Sequence, residues 1–391
     1  MAATFQPPVM EARRWVEGAV FPTGRPLLNL SQAAPADPPP EPMRRAMAEI
    51  VMEDAQAHLY GPVLGLPALR ERVAAEWTSA YGGEVRPAQV AITSGCNQAF
   101  AGVMATLARR GDNAILPLPY YFNHKMWLDM GGIEARCCAT ADDLLPDPEA
   151  AARLIDDRTR AIVLVSPNNP GGVEYPAPLL AAFRDLARSR GIALVLDETY
   201  RDFHAQDGPP HDLFADPDWD EVVIQLYSFS KAYRLTGHRV GAAVSSPARL
   251  AELEKWLDTV AICPTGLGQR AALWGMVNLG GWLSEERAEI LRRRDAMRQG
   301  FARLPGWRLL GCGAYFAYAE HPFREASDAL ARRLVEEASV LLLPGTMFGP
   351  RREEGGDGRA ERTLRIAFAN ADRDGLAILF DRLAAVGEAR G

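Results

Sequence analysis

The chemistry that this sequence offers centres on one lysine. Lys231 lies in the segment Ser228-Phe-Ser-Lys-Ala-Tyr-Arg-Leu-Thr-Gly-His-Arg239-Val-Gly241, between two strand-like runs. A lysine near other cations and away from water loses part of its affinity for a proton, and the freed amine can form a Schiff base. Ser228 and Arg239 supply a hydroxyl donor and a planar cation, a pair that suits a phosphate monoester. Three further polar segments follow apolar runs: Ser94-Gly95-Cys96-Asn97, Asn168-Asn169-Pro170, and Asp197-Glu198-Thr199-Tyr200. Taken alone, Asn169 reads as a turn residue and Asp197 as a helix N-cap.

Such segments need a scaffold that gathers strand ends. Five short β-branched runs, 90–93, 161–165, 192–196, 222–227 and 240–244, alternate with helical or loop stretches in the manner of parallel strands joined by crossovers. Several are apolar at consecutive positions, which predicts an α/β sheet covered by helices on both faces. Ligands bind beyond the C-terminal strand ends of open α/β sheets, so the polar segments are expected to converge on one crevice. Ser94, Gly95 and Cys96 would open a helix reaching Ala108, whose N-terminal amides attract phosphate. Helical patterns also cover 43–54 and 68–81. Beyond Gly281 the pattern changes to a charged helix at 284–302, two aromatic strand-like runs, a helix at 327–338 and a last strand and helix. This predicts a smaller α+β part. The Gly- and charge-rich stretch 349–361 reads as a mobile surface loop within it, and the proline-rich 35–42 as a connector.

Composition narrows the field. A chain of 391 residues, 48% hydrophobic and 24% charged, has a core that needs no staples and is too apolar to be disordered. Acidic side chains outnumber basic ones, 50 to 43, so no broad basic face is available for nucleic acid. The longest charge-free run, 87–108, carries Gln89, Asn97 and Gln98 and is no membrane span. The first residues have no signal-peptide pattern, and the five cysteines form no C-x-x-C pair. A cytoplasmic protein without disulfides or a metal site is expected.

The segments YGPVLGLPALR, TSGCNQA, PLPYYFNH, SPNNPGG, DETY, S-x-S-K-x(7)-R-x-G and LRIAFAN follow one another between Tyr60 and Asn370, within a resemblance that runs from about Leu28 to the C-terminus. In order and spacing they resemble the fold-type I pyridoxal-phosphate enzymes, specifically the class I/II aminotransferases related to aspartate aminotransferase. The resemblance implies a large domain, 36–285, with a mostly parallel seven-stranded sheet covered by helices. It also implies a smaller α+β domain formed by 1–35 with 286–391. Pyridoxal phosphate would be held by Lys231. The activity would be transfer of an amino group between an amino acid and a 2-oxo acid through aldimine and ketimine intermediates, with Lys231 shuttling the proton.

Other roles follow from the same resemblance. Asp197 would pair with the pyridine nitrogen, and Asn169 and Tyr200 with the phenolic oxygen. Tyr121 would stack on the ring, with Tyr120 as the competing choice. Ser94, Gly95, Cys96, Ser228 and Arg239 would hold the phosphate, and Tyr60 would reach it from the neighbouring subunit of a homodimer with shared sites. Arg365 would grip the substrate α-carboxylate beside Asn169. Ala33 falls where many relatives have a glycine touching that carboxylate, so a methyl group is added there. Arg234 replaces a common glycine and His238 precedes Arg239; both are expected to face solvent or the neighbouring subunit. The segment 259–266 is expected to line the side-chain pocket across the dimer, and it contains no arginine that would mark a dicarboxylic substrate. The same cradle also serves lyases, cyclases and oxidases, which remain alternatives. A non-catalytic aminotransferase-like protein is the remote one, set against the presence of Lys231.

Overall fold

Consecutive apolar residues at 161–165 and 193–196 leave a strand no polar face, so both sides must be covered. In the computed structural model, which describes residues 4–35 and 37–386, they lie in the middle of a seven-stranded sheet. Its strands are β1 (Val90–Thr93), β2 (Asn113–Pro117), β3 (Glu134–Cys138), β4 (Thr159–Val165), β5 (Ala193–Asp197), β6 (Val223–Ser228) and β7 (Gly241–Val244). The spatial order is β1-β7-β6-β5-β4-β2-β3. Alternate residues of each strand point to opposite layers, as the pleat requires. Ile162, Leu164, Leu194 and Leu196 join Trp77 and Phe183 on one side, while Ala161, Val163, Ala193 and Val195 join Phe100 and Leu253 on the other.

Two features depart from the sequence reading. The run at 240–244 is not parallel: β7 pairs antiparallel with both β1 and β6, because only the short segment 229–240 separates it from β6, too little for a crossover helix. Two strands, β2 and β3, escape the β-branched pattern. The outer one, Glu-Ala-Arg-Cys-Cys, sits at the sheet edge, where polar residues are tolerated. With β7 reversed, β1, β2, β4, β5 and β6 all end on one side of the sheet, and β7 begins there.

The helices that bear on that edge are α1 (Pro8–Trp15), α2 (Cys96–Leu107), α3 (Phe122–Gly131), α4 (Phe229–Ala232) and α5 (Gly280–Ala302). A second, antiparallel sheet contains β8 (Arg308–Gly313), β9 (Phe316–Glu320), β10 (Leu343–Pro344) and β11 (Thr363–Ile366), in the order β10-β11-β9-β8. Its core, with Phe316, Leu334, Ile366 and Leu379, is separate from those of the large sheet. The N-terminal segment runs beside it: Leu28–Asn29 pairs with Val340–Leu341, and Ala12 of α1 packs with Phe122, Leu343 and Phe348. The stretch 349–361 is anchored rather than loose. Arg351 Nη2 donates to Asp328 Oδ2 at 2.8 Å, and Arg359 Nη1 to the Ala141 carbonyl at 2.9 Å. Charges that suggest a solvated loop in sequence are here paired across the surface.

Gly172 ties the loop after β4 to the second sheet. Its φ is +69°, and a Cβ there would lie 2.4 Å from the Phe316 carbonyl oxygen and 2.6 Å from Gly313 N. Gly191, at φ +63°, has open space around it. Gly172→Ala should therefore cost about 2–4 kcal/mol of stability, against about 1 kcal/mol for Gly191→Ala, which bears backbone strain alone. Urea unfolding of both variants checks this; equal shifts would show that the close approach is unimportant.

Candidate active site

The strand ends enclose a cavity of about 420 Å³. β6 ends at Ser228, whose side chain accepts a hydrogen bond from Ser230 N and so starts α4, a single turn that aims Lys231 into the cavity. Lys231 keeps part of its surface open to that space. Its Nζ donates to the Ala33 carbonyl at 2.6 Å. Burial of the amine, then the nearby Arg239 and Arg365, lower its pKa to about 8. Repulsion by two guanidinium groups and loss of hydration thus act in the same direction.

Asp197 is the last residue of β5 and only 3% exposed. Burial by itself would raise its pKa, but the approach of His124 and the bond from Thr199 outweigh it, and the carboxyl is held below its usual range. Thr199 N donates to Oδ1 at 2.9 Å. His124 Nε2 lies 3.2 Å from Oδ2, at ion-pair distance though without hydrogen-bond alignment. The His124 ring is stacked on Phe100 of α2, centroids 3.9 Å apart, and meets the Tyr121 ring edge-on. Neither His124 nor Thr199 was singled out by the sequence reading. The signal for His124 was its place three residues after Tyr121 at a helix start, which sets both side chains on one face. Tyr121 faces the cavity, whereas Tyr120 is buried behind it.

The opposite wall is an anion cradle. Gly95, at φ +86°, precedes α2, and no side chain caps that helix. A Cβ on Gly95 would fall 2.2 Å from Arg239 Nη2, and one on Gly241 2.6 Å from Cys96 N. Both glycines therefore keep clear the space where a guanidinium meets the helix N-terminus. Arg239 is fixed by a bond from Nη1 to the Thr236 carbonyl at 3.0 Å. Burial, then the charge of Asp197, push the Cys96 thiol well up, which leaves it unreactive. Ser94 stands apart from the cavity, its N–H donating to Gln98 Oε1 at 2.6 Å. Tyr60, 81% exposed, is not brought to the cavity of its own chain, and neither is the segment 259–266.

Arg365 rises from the middle of β11 and is 2% exposed. Nη1 donates to Asn169 Oδ1 at 3.1 Å and Nη2 to the Ser31 carbonyl, while Nε has no partner among the described residues. Its guanidinium carbon lies 4.9 Å from the Phe348 ring centroid and 5.2 Å from that of Phe316. Burial lowers its pKa to about 10. Among the described residues no carboxylate pairs with this cation, so it is ready for an anionic ligand. Tyr200, 4% exposed, has its ring 5.9 Å from Lys231 Nζ, and burial pushes its hydroxyl well up.

Of the two departures noted after Lys231, Arg234 has its side chain held within the chain. Arg234 adopts φ +54°, a conformation that suits glycine, yet its side chain is tied to Glu286 of α5 at 2.7 Å and lies over Trp282. That bond, not solvent, accounts for its orientation. His238 is half-buried, and its carbonyl accepts from Thr265 Oγ1 at 3.2 Å.

A buried ionised carboxylate, an amine of lowered pKa and a helix N-terminus beside a guanidinium form the donor set that pyridoxal phosphate requires: one group each for ring nitrogen, aldehyde and phosphate. Comparison with known proteins agrees. A probable aspartate/prephenate aminotransferase of Thermus aquaticus is 30% identical over 297 residues, 74% of this chain and 76% of that protein. An aromatic aminotransferase of Arabidopsis thaliana is 28% identical over 82% of both chains. The solved structure of the aspartate aminotransferase from Thermus thermophilus with maleate superposes with a TM-score of 0.87 at 25% identity, covering 97% of this chain and 96% of that one. Residues 25–383 match the model of the family described as aminotransferase class I and II, and the chain belongs to that family of pyridoxal-phosphate-dependent transferases.

Proposed function

We propose that the cavity around Lys231 moves an amino group between an amino acid and a 2-oxo acid, with the residues described above in distinct roles. The observation that carries this reading is a buried, anion-free Arg365 facing the same space as an amine whose pKa is lowered to about 8. Pyridoxal phosphate, when bound, supplies an aldehyde for the lysine and a ring that accepts the electron pair released at the substrate α-carbon. Asp197, kept ionised by His124 and Thr199, holds a proton on the ring nitrogen. Asn169 and Tyr200 donate to the phenolic oxygen, and Tyr121 covers one ring face. Gly95, the Cys96 amide, Ser228 and Arg239 bind the phosphate. Ser94, whose N–H is taken by Gln98, would contribute its hydroxyl alone. Arg365 orients the substrate through its α-carboxylate, with Asn169 and the Ala33 backbone beside it. Lys231, once free, moves the proton between the α-carbon and C4′ of the cofactor.

The same reading includes a homodimer with a shared site. Met52, Leu59, Tyr60, Val260, Ile262 and Val277 are all large, apolar and more than two-fifths exposed. They belong to segments that adjoin one another, since Gly61 N reaches Cys263 Sγ at 3.4 Å and the helix Glu41–Glu53 packs on Gly266–Asn278. A patch of this kind supports an interface that would carry Tyr60 to the partner's phosphate. The division into 36–285 and 1–35 with 286–391 is supported by the separate sheets and cores; Ala36 and the ends 1–3 and 387–391 lie outside the described residues. Five free cysteines favour the cytoplasm. Among the described residues no helix is long and apolar enough to cross a membrane.

The first test is a half-reaction. A panel of amino donors, aspartate and aromatic amino acids among them, is mixed with the holoenzyme without an acceptor. Transamination predicts loss of the cofactor's long-wavelength absorbance, pyridoxamine phosphate and one equivalent of 2-oxo acid. Pyruvate and ammonia without pyridoxamine phosphate would assign a lyase instead.

The second test reads the lysine directly. Its folded pKa lies below the ordinary value of about 10.4, so the neutral amine becomes the majority form above about pH 8 instead of above pH 10. The rate at which cofactor-free protein captures pyridoxal phosphate, trapped with borohydride, should rise with pH and level off above about 8.5. Lys231→Ala should give no trapped adduct. A rate still climbing at pH 10 would contradict the lowered pKa.

A further inference from the structure

We infer that Arg13, on α1, determines specificity by binding a second carboxylate, carried by the substrate's side chain. The inference rests on the aminotransferase reading of the cavity and adds its substrate class. Four cations line the cavity, Arg13, Lys231, Arg239 and Arg365, against one carboxylate, Asp197. In the proposed function Arg239 meets the cofactor phosphate, Arg365 the α-carboxylate, and Lys231 exchanges its charge through the imine. Arg13 is left over. Among the described residues it has no ion pair; its side chain donates to neutral Gln32 Oε1 at 2.5 Å and approaches Met10 Sδ at 4.0 Å. Glu11, the acidic residue of the same helix, turns instead to Arg332 at 3.4 Å.

An exposed arginine is ordinarily a solvated one, but this one has a fixed base. Ala12 beside it is fully buried among Phe122, Leu343 and Phe348, and the last of these also lies against the Arg365 guanidinium. Its partner is equally well placed. Gln32 adjoins Ala33, whose carbonyl accepts from Lys231 Nζ at 2.6 Å, and the Gln32 carbonyl is held by Asn370. Successive Cα atoms are about 3.8 Å apart, so the guanidinium and the reactive amine are bonded to neighbouring residues of one short segment. A substrate with its α-carboxylate on Arg365 and its α-carbon at Lys231 would extend toward the cavity mouth. An acidic side chain would there replace Gln32 as the acceptor for Arg13, exchanging a single bond to an uncharged amide oxygen for a two-pronged ion pair. The selector is thus supplied by the chain's own N-terminal helix, and the arginine-free segment 259–266 does not have to provide it.

Binding of unreactive acids to the holoenzyme tests this without turnover. The probes are succinate, with two carboxylates, and butyrate, with one, and the readout is the cofactor absorbance. The wild type should bind succinate more tightly, and Arg13→Gln should lower the butyrate-to-succinate Kd ratio by about 10- to 100-fold. Arg13→Lys, which keeps the charge and loses the fork, should restore part of it. An unchanged ratio in Arg13→Gln, or no preference for succinate in the wild type, would overturn the inference. Failure of every donor in the half-reaction, with this discrimination intact, would instead sink the aminotransferase reading and leave the carboxylate contact standing.

Discussion

Taking a guanidinium out of water costs several kcal/mol unless an anion or a complete set of acceptors goes with it, and among the described residues Arg365 has neither. Two oxygens, Asn169 Oδ1 and the Ser31 carbonyl, serve two of its nitrogens, and Nε is bare. The fold sustains this by its place in the second sheet. β11 lies between β9 and β10, with Leu364 and Ile366 fully buried on either side of the arginine. Apolar burial of that strand offsets the cost, while the rings of Phe316 and Phe348 exclude water and offer their negative faces to the cation. An anion that pairs with Nε would complete the hydrogen bonding of the guanidinium.

That cation belongs to one sheet and the groups it works with to another, so the joint between the sheets matters as much as either. The large sheet delivers Asn169, Asp197 and Ser228 from the ends of three adjacent strands, β4, β5 and β6. Its antiparallel strand is what closes the set. β7 starts where β6 ends, so Arg239 and Gly241 return to the same edge and face the N-terminus of α2 that follows β1. A parallel strand in that place would have carried Arg239 to the opposite edge. The joint itself consists of small residues: Gly172 against the hairpin of β8 and β9, and the Ser31 to Ala33 backbone held by Arg365 and Lys231.

Much of this was legible in the sequence because it depends on local pattern. The apolar runs at 161–165 and 192–196 locate the central strands, and polar residues just past them locate the edge of the sheet where a ligand binds. What was not legible depends on pairing between distant segments. The direction of β7 is set by the length of its connection, which the β-branched pattern does not encode. β3, Glu-Ala-Arg-Cys-Cys, has an edge strand's composition and no β-branched residue. His124 was visible as a residue and not as a neighbour of Asp197, since 73 positions separate them and only the order of β2, β4 and β5 brings them together. Arg13 lies outside every motif, and its relation to the cavity appears only when α1 is packed against Phe122 and Phe348.

The cations of the cavity also act on one another. Arg239 and Arg365 are, after burial, the causes that depress Lys231, and in the proposed function each meets an anion. A phosphate at Arg239 or a carboxylate at Arg365 brings a negative charge that cancels much of the repulsion felt by the amine. The two guanidinium groups thus favour the neutral amine that condensation with an aldehyde needs. In the proposed function, anions at both groups would raise its basicity again, as an amine that accepts a proton from the α-carbon requires, so binding and proton transfer would be linked through these two guanidinium groups. Asp197 stands apart from this linkage, since His124 and Thr199 set its charge from the other side of the ring site.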